Sequence, residues 1–163
     1  MHSPPRLHTL GYEGLDIGAF VQLLRAHAVQ TVVDVRELPL SRKRGFSKSS
    51  FRAALADAGL DYRHMPALGC PRPIRNRFRA DGDWAAYSRD FLMYLGTQEA
   101  ALQELVAMSQ SRTACLVCFE ADYNQCHRSY VARSATALGA PATWHLLANT
   151  KTASPDLPQP AAA

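Results

Sequence analysis

The sequence lacks any run of about 18 consecutive apolar residues, the length that a membrane-spanning helix needs. Residues 1–6 also lack the continuous apolar core of a secretory signal peptide, so we expect a cytoplasmic protein with no membrane partner. Cysteine is scarce: the chain has only 4, at positions 70, 115, 118 and 126. In the cytoplasm these are expected to be reduced thiols, which excludes a disulfide-stapled fold.

A length of 163 residues with 47% hydrophobic content suits one ordinary globular domain, and two domains would be cramped. We therefore predict a single α/β domain over residues 1–149. Beyond residue 149 the chain is dominated by Ala, Pro, Ser and Gln. Such a composition buries too little apolar surface to order itself, so a disordered tail is predicted for residues 150–163.

Basic residues are concentrated in one part of the chain, although the net charge is only +4. The segment from Arg36 to Arg79 has only Glu37, Asp57 and Asp61 as acidic residues. Its Lys and Arg residues are Arg36, Arg42, Lys43, Arg44, Lys48, Arg52, Arg63, Arg72, Arg75, Arg77 and Arg79. We expect a nucleic acid or nucleotide partner that contacts basic loops 42–48 and 72–79; the alternative is that these residues only keep the protein soluble.

Short β-branched or apolar runs alternate with segments of helical periodicity. Thr31-Val32-Val33-Asp34-Val35-Arg36, for example, reads as a buried parallel strand with polar groups at its end. We predict strands at 7–12, 31–36, 60–65, 113–119 and 142–147. Helices are predicted at 16–28, at 49–58 with a cap at Ser49 or Ser50, at 83–95, at 98–108 and up to Ala137, and an exposed loop at 67–81. The expected fold is a three-layer α/β domain: a mostly parallel sheet of about five strands with helices on both faces.

In such a fold the ligand crevice lies at the carboxyl ends of the strands, where helix N-termini also point. Several chemistry-bearing segments are predicted to meet there. They are Gly11-Tyr12-Glu13 after the first strand, Asp34 and Arg36 at the second, Cys118 to Glu120 at the fourth, and Cys126-His127-Arg128 at the start of the next helix.

Cys115 and Cys118 have the C-x-x-C spacing of zinc knuckles and redox pairs. Within a strand, however, an offset of three sends two side chains to opposite faces. We therefore interpret Cys115 as a small core residue. A zinc site of Cys118, Cys126 and His127 with a carboxylate is conceivable, but adjacent Cys126 and His127 are an awkward ligand pair. No metal and no cofactor is predicted.

Cys126 is predicted near a helix N-terminus beside His127 and Arg128, surroundings that favour a thiolate nucleophile; alternatively it is an inert buried thiol. Glu120 is the better candidate for a general acid or base, or else forms a structural salt bridge. Asp34 and Arg36 share one strand face. Both are expected to act on substrate. The structural alternative is that Asp34 is buried and accepts backbone N–H groups at a helix N-terminus.

Substrate-binding candidates lie around these positions. Arg42 and the loop arginines offer phosphate contacts. Aromatic side chains that could stack a base, unless they simply pack in the core, are Tyr12, Phe46, Phe78, Trp84 and Tyr87. The predicted catalytic residues are Glu120, Cys126, His127 and Asp34, and the predicted substrate-binding residues are Gly11, Tyr12, Arg36, Ser41, Arg42, Cys118 and Arg128.

The segments Thr9-Leu10-Gly11-Tyr12-Glu13, Val33-Asp34-Val35-Arg36, Cys118-Phe119-Glu120 and Cys126-His127-Arg128-Ser129 together resemble the family catalogued as domain of unknown function 488. The resemblance spans Leu7 to Leu147 and includes the basic Ser41-Arg42 region. It implies hallmark roles for Gly11, Asp34, Arg36, Cys118, Glu120, Cys126, His127 and Arg128. This chain has Tyr12-Glu13 where many members carry His-Ser. The family implies a fold and a site location, but no reaction.

Three functions remain open from the sequence. The leading hypothesis is an enzyme that hydrolyses or transfers a group at a glycosidic or phosphate bond of a nucleotide or nucleic acid. The second is a non-catalytic nucleic-acid-binding module. The third is a sulfur-transfer protein, because the Val-Asp-Val-Arg strand also resembles that of rhodaneses. Those enzymes use a Cys-x-x-x-x-Arg loop, whose spacing Cys126-His127-Arg128 lacks.

Overall fold

The computed structural model describes residues 3–148 and the backbone of residues 153–155. Its centre is a sheet in which five strands run parallel. They are β1 (Leu7–Gly11), β2 (Thr31–Asp34), β3 (Asp61–His64), β4 (Ala114–Cys118) and β5 (Thr143–Leu146). A short strand, β6 (Ala153–Pro155), pairs antiparallel with β5, and the spatial order is β3-β2-β4-β1-β5-β6.

The strands form where the sequence places apolar and β-branched residues without a helical period. Every residue of β1, β2 and β4 is buried, as expected of parallel strands covered on both faces. Strand β3 instead alternates exposed and half-buried residues, because it lies at one edge of the sheet. All five predicted strands are present, each within two residues of its predicted ends.

Six α-helices surround the sheet. They are α1 (Ile17–Ala26), α2 (Lys48–Asp57), α3 (Arg72–Asp81), α4 (Trp84–Leu95), α5 (Glu99–Ser111) and α6 (His127–Ala137). Asp16 caps α1 by accepting the Ala19 N–H at 2.8 Å. Helix α2 begins before the predicted Ser49 or Ser50 cap, because Ser47 is its N-cap residue in extended conformation.

The helices cover both faces of the sheet, which confirms the predicted three-layer α/β fold. On one face, Phe20 of α1 and Leu55 of α2 pack with the strand residues Leu10, Val32 and Val117. On the other face, side chains of α4, α5 and α6 pack with a second set of strand residues, Leu7, Val33 and Leu116. Successive strand residues thus alternate between two cores.

The predicted loop at 67–81 is wrong over most of its length, because residues Arg72–Asp81 form helix α3. Pro73 lies in the first turn, where a missing N–H breaks no intrahelical bond. Gly82 ends the helix in the left-handed conformation, with φ of 65°. Ile74 and Phe78, four residues apart, pack against the core on one face of the helix.

Strand β4 lies between β1 and β2, although it follows them in the sequence. Its terminal residue Cys118 is in register with Gly11, and its neighbour Val117 is in register with Asp34. Three predicted site segments therefore end side by side at one edge of the sheet.

No helix in the described part of the chain is long and apolar enough to cross a membrane. The predicted disordered tail, residues 150–163, lies largely outside the described residues; within it, the backbone of Ala153–Pro155 forms β6.

Candidate functional site

A pocket of about 390 Å³ opens at the carboxyl edge of the sheet. Its walls come from the segments that follow β1, β2, β3 and β4 and from helices α3, α4 and α6. The lining residues are Tyr12, Arg36, Glu37, Leu38, Leu40, Ser41, Cys70, Arg75, Phe78, Arg79, Trp84, Tyr87, Cys118, Phe119, Glu120, Gln125 and His127. The pocket is where the sheet topology predicts a ligand crevice.

Beside the pocket, Cys118, Cys126 and His127 form a compact group, called here the thiol cluster. Their sulfur and nitrogen atoms all lie within 4.8 Å of one another. His127 Nδ1 is 3.8 Å from Cys118 Sγ and 3.9 Å from Cys126 Sγ. On the other side of the ring, His127 Nε2 donates to the Val35 carbonyl at 2.7 Å. Because a carbonyl only accepts, the neutral ring keeps its Nδ1 lone pair toward the two sulfurs.

Cys118 and His127 line the pocket, whereas Cys126 lies behind them and is only 2% exposed. The carboxylate of Glu120 reaches the cluster from the pocket side, where the Cys118 thiol donates to Glu120 Oε2 at 3.3 Å. The structure therefore brings Glu120, Cys118, Cys126 and His127 together, as the sequence predicts.

The ionisable groups of the thiol cluster and Glu120 lie close enough that the charge of each affects the others. The hydrogen bond to Cys126, reinforced by burial, raises the pKa of Cys118 well above its ordinary value. Burial opposes ionisation of Cys126, but the hydrogen bond from Cys118 and the charge of Arg128 together lower the pKa of that thiol well below its ordinary value. Burial and the nearby Cys126 charge raise the pKa of Glu120. Burial disfavours imidazolium, yet hydrogen bonding to Cys126 raises the pKa of His127.

The loop that carries Glu120 is fixed by backbone and side-chain contacts on its far side. Arg128 is fully buried and donates to the carbonyls of Glu120 at 2.5 Å and Ala121 at 3.3 Å. Glu13 accepts the Ala121 N–H at 3.0 Å. A Cβ at Gly11 would lie 1.7 Å from the Glu120 carbonyl oxygen, so only glycine permits this close approach. The structure places Gly11 and Arg128 against this loop and not in the pocket lining.

Asp34, Arg36, Tyr12 and Tyr62 form a second polar group, called here the arginine brace. Arg36 Nε and Nη2 donate to the two carboxylate oxygens of Asp34 at 2.8 and 2.7 Å. Arg36 Nη1 donates to the Phe46 carbonyl at 2.6 Å and to the Tyr12 hydroxyl at 3.2 Å. Tyr62 donates its hydroxyl proton to Asp34 at 2.6 Å. Arg36 and Tyr12 line the pocket, whereas Asp34 is fully buried behind them.

The basic segments differ in how they meet the pocket. Arg75 and Arg79 of α3 line it, and Ser41 does so from the segment after β2, while Arg42 is exposed outside the lining. Arg75 Nη2 also pairs with Glu37 at 3.1 Å, and the buried Nε of Arg75 has no hydrogen-bond partner among the described residues. Arg77 pairs with Asp81 and Asp90 away from the pocket.

Five aromatic residues were predicted as candidates for stacking on a base. Four of them line the pocket: Tyr12, Phe78, Trp84 and Tyr87. Phe46 does not, because it is fully buried in the core and stacks on Tyr12 at 4.4 Å. Trp84 and Tyr87 stack on each other at 4.6 Å.

Sequence reasoning missed several lining residues, chiefly Leu38, Leu40, Cys70 and Gln125. Cys70 follows β3 through a short 3₁₀ turn, and its pKa is raised to about 11, mainly by burial. The position of Cys70 after a parallel strand is a signal that could have found it. Phe119 lies within the predicted segment Cys118 to Glu120, and the structure adds that its side chain is 45% exposed at the pocket.

Cys115 belongs to the core on the opposite face of the sheet from Cys118. The interpretation of Cys115 as a core residue is confirmed, and the C-x-x-C spacing has no role in the site. Burial raises the pKa of this thiol above its ordinary value.

Comparison with protein families matches residues 16–135 to the family described as domain of unknown function DUF488. The matched region is more than half of the chain. The chain belongs to the DUF488 family. Comparisons with curated proteins and with solved structures found no significant match.

Within this DUF488 domain, the matched range contains both the brace pair Asp34 and Arg36 and all three residues of the thiol cluster, together with Glu120. Strand β1 precedes the match, so Gly11 and Tyr12 join the site through the sheet pairing with β4.

Proposed function

We propose that this domain is an enzyme that hydrolyses or transfers a group at a glycosidic or phosphate bond of a nucleotide or of a nucleotide unit in a nucleic acid. One observation carries the proposal. A single pocket combines a carboxylate, Glu120, with arginine side chains and aromatic walls.

The size and lining of the pocket suit a nucleotide. A volume of about 390 Å³ lies at the small end of the range for small-molecule sites, which fits one nucleotide and not a folded polymer. Phe119 and Trp84 offer aromatic faces for a base, since stacking tolerates any base. Arg79, an exposed residue that lines the pocket, offers donors for a phosphate.

Glu120 has the position of a general base or acid. Its backbone is held by Arg128 and Gly11, while its carboxylate faces the pocket. For a glycosidic bond, Glu120 takes a proton from water as the new C–O bond forms at the sugar. The C–N bond breaks, its electron pair leaves with the base, and the base receives the proton that Glu120 removed. Such proton transfer typically contributes 10²- to 10⁴-fold to the rate.

The other two hypotheses are weaker on this geometry. Sulfur transfer needs a reachable thiolate, but Cys126 is 2% exposed and does not line the pocket. A polymer-binding surface would use arginines 72–79, but Arg75 and Arg77 already form ion pairs with acidic side chains.

The test is turnover by the full chain on nucleoside monophosphates, nucleosides and single-stranded DNA and RNA oligonucleotides, with products identified by mass spectrometry. We expect release of a free base or of phosphate, and a loss of about 10²- to 10⁴-fold in turnover for Glu120→Gln. The matched control is Glu99→Gln, an exposed carboxylate at the start of α5, which should keep full activity.

A binding arm tests the arginines. Arg79→Ala should weaken binding of the active nucleotide, while Arg89→Ala, which removes an exposed helical arginine outside the pocket, should not. Full turnover by Glu120→Gln, or no turnover on any of these substrates, would overturn the proposal. Oligonucleotide binding that is indifferent to Glu120→Gln, without turnover, would favour the binding module. A persulfide on Cys126 after thiosulfate treatment would favour sulfur transfer.

A further inference from the structure

The three side chains of the thiol cluster have the types and spacing of metal ligands. From these contacts we infer that Cys118, Cys126 and His127 bind a zinc ion, with a fourth coordination position open to the pocket. The inference does not rest on the substrate class proposed above, because it concerns only the ligands and can be tested without substrate.

Distances within the cluster agree with a tetrahedral site. A zinc ion about 2.3 Å from sulfur and about 2.0–2.1 Å from nitrogen sets tetrahedral ligands roughly 3.6–3.8 Å apart. The two sulfur-to-nitrogen distances are 3.8 and 3.9 Å, and all three ligand atoms lie within 4.8 Å of one another. The two sulfur-to-nitrogen distances thus need to shorten by only a few tenths of an ångström, and the sulfur-to-sulfur distance, which is at most 4.8 Å, by about 1 Å or less.

The orientation of His127 is the one that a metal ligand needs. Its Nε2–H donates to the Val35 carbonyl, so Nδ1 is the nitrogen that faces the two sulfurs and binds the metal once its proton is released. A backbone carbonyl bound to the far nitrogen is a common second-shell partner of metal-bound histidine, because it fixes both the tautomer and the ring.

Adjacent residues serve as ligands here because a structural boundary separates them. Cys126 is extended, with φ of −140° and ψ of 139°, and is the N-cap residue of α6. His127 is the first residue of the helix itself. The change in backbone direction between them turns both side chains toward Cys118, which removes the objection raised by their adjacency in sequence.

Charge around the cluster also suits two thiolates and a divalent cation. Two thiolates and Zn²⁺ sum to zero, and Cys126 lies at the N-terminus of α6, where the helix dipole favours a thiolate ligand. Thiolate and imidazole donors in tetrahedral arrangement select zinc over magnesium or calcium, which prefer oxygen ligands.

Three protein ligands with an open position are the arrangement of catalytic and not of structural zinc sites. Cys118 and His127 line the pocket, so the open position faces it. Glu120 is outside the compact three-residue group but lies 3.3 Å from Cys118 Sγ. A water molecule on the zinc would thus lie beside a carboxylate able to take its proton.

The test is metal binding by the full-length chain, purified under reducing conditions and titrated with Zn²⁺ or Co²⁺. We expect about one zinc per chain by elemental analysis, and with Co²⁺ the intense visible bands of a tetrahedral site together with thiolate-to-cobalt charge transfer. Cys118→Ser, Cys126→Ser and His127→Gln should each weaken binding by more than about a hundredfold, since loss of a second-shell partner alone costs 10- to 100-fold.

Cys70 supplies a matched control, because its thiol lines the same pocket but lies outside the cluster. Cys70→Ser should keep the metal and the cobalt spectrum. Absence of both signals in the wild-type chain, equal loss in Cys70→Ser and Cys126→Ser, or a Cys118–Cys126 disulfide formed in place of metal binding would each overturn the inference.

Failure of this inference differs from failure of the proposed function. Glu120→Gln is expected to keep the zinc while losing turnover. A chain that binds zinc but turns over no nucleotide retains the metal site and loses the proposed function. If turnover persists after elemental analysis confirms that all zinc has been removed, the proposed function stands. The zinc inference is then decided by the binding titration alone.

Discussion

The arginine brace and the thiol cluster lie side by side at the same sheet edge but satisfy their polar groups differently. In the brace, Arg36 and Asp34 are joined by two short charge-assisted bonds, and Tyr12, Tyr62 and a backbone carbonyl take up further positions. In the thiol cluster, the contacts between His127 and the two sulfurs are 3.8 and 3.9 Å long. The polar groups of the brace are joined by short hydrogen bonds, whereas the thiol cluster is held together by longer contacts to sulfur beside the pocket.

This difference indicates that the brace residues have a structural role and the thiol-cluster residues a chemical one, although the same set of sequence motifs contains both. A buried ion pair that is fully hydrogen-bonded holds its surroundings in place, and removing one partner leaves an uncompensated charge. Thiol and imidazole groups beside a pocket, whose mutual contacts are long, can instead bind a metal or substrate. Variants of the brace should therefore affect folding first, and variants around the thiol cluster should affect activity first.

The largest effect is expected from Asp34→Asn. The buried Arg36 guanidinium would lose its counter-charge, so the free energy of unfolding should fall by about 3–5 kcal/mol in urea titrations followed by tryptophan fluorescence. Asp61→Asn is the control, because its ion pair with Arg112 is exposed and should contribute less than about 1 kcal/mol. A brace variant as stable as this control would remove the distinction between the two groups.

Acidification should destabilise the fold through His8, a buried side chain that belongs to neither group. Neither ring nitrogen forms a hydrogen bond within the described residues, and burial, helped by His27 and Arg6, lowers the pKa of His8 from 6.5 to about 4. A lowered folded pKa means that the stabilisation is complete above pH 6.5 and is lost as the pH falls toward 4. The loss should reach about 3 kcal/mol.

The measurement is the free energy of unfolding of the wild type and of His8→Leu between pH 7 and pH 4. The difference between their pH profiles isolates His8 from the carboxylates. Parallel profiles would show that His8 does not contribute.

A smaller effect is expected from Gly11→Ala, which acts on the loop between the two groups. The new methyl would lie 1.7 Å from the Glu120 carbonyl oxygen, so the loop must move, with an expected cost of about 1–3 kcal/mol in unfolding free energy. Gly18→Ala in α1 meets only the Asp16 side chain at 3.4 Å and should be neutral or stabilising. Equal stability of both variants would contradict this packing account.

The smallest effect on stability is expected from Glu120→Gln, the same carboxylate-to-amide change as Asp34→Asn. Within residues 3–148 Glu120 forms no ion pair, so the free energy of unfolding should change by less than about 1 kcal/mol. The comparison predicts different outcomes for the two changes: Asp34→Asn strongly destabilises the fold, and Glu120→Gln leaves its stability nearly unchanged. A loss of several kcal/mol in Glu120→Gln would place Glu120 with the structural residues.

The strands, and the sheet edge at which the site residues meet, could be predicted from the sequence. Buried parallel strands have short runs of β-branched residues, such as Thr31 to Val33. Helix α3 was missed because Pro71, Pro73 and four arginines read as a loop. Its apolar pair, Ile74 and Phe78, was too short a signal to outweigh them.

Within the site, the sequence could bring residues to one edge but could not show what each side chain contacts. Asp34 and Arg36 were predicted on one strand face, yet only coordinates show that they bond to each other. Likewise, the adjacency of Cys126 and His127 disfavoured a metal until the helix boundary between them was seen. Contacts that depend on a single backbone turn or rotamer are not encoded in residue spacing.

The central place of β4 also affects how the chain can fold. Arg6 and Thr113, which bond where β1 meets β4, are 107 residues apart. Strands β1 and β2 contact each other only through β4, so both expose unpaired edges until residues 114–118 are synthesised. Strand pairing across such a sequence separation is slow, because the chain must lose the entropy of loop closure before any stabilising contact between the strands can form. The pocket and its thiols therefore assemble late, after most of the chain has been made.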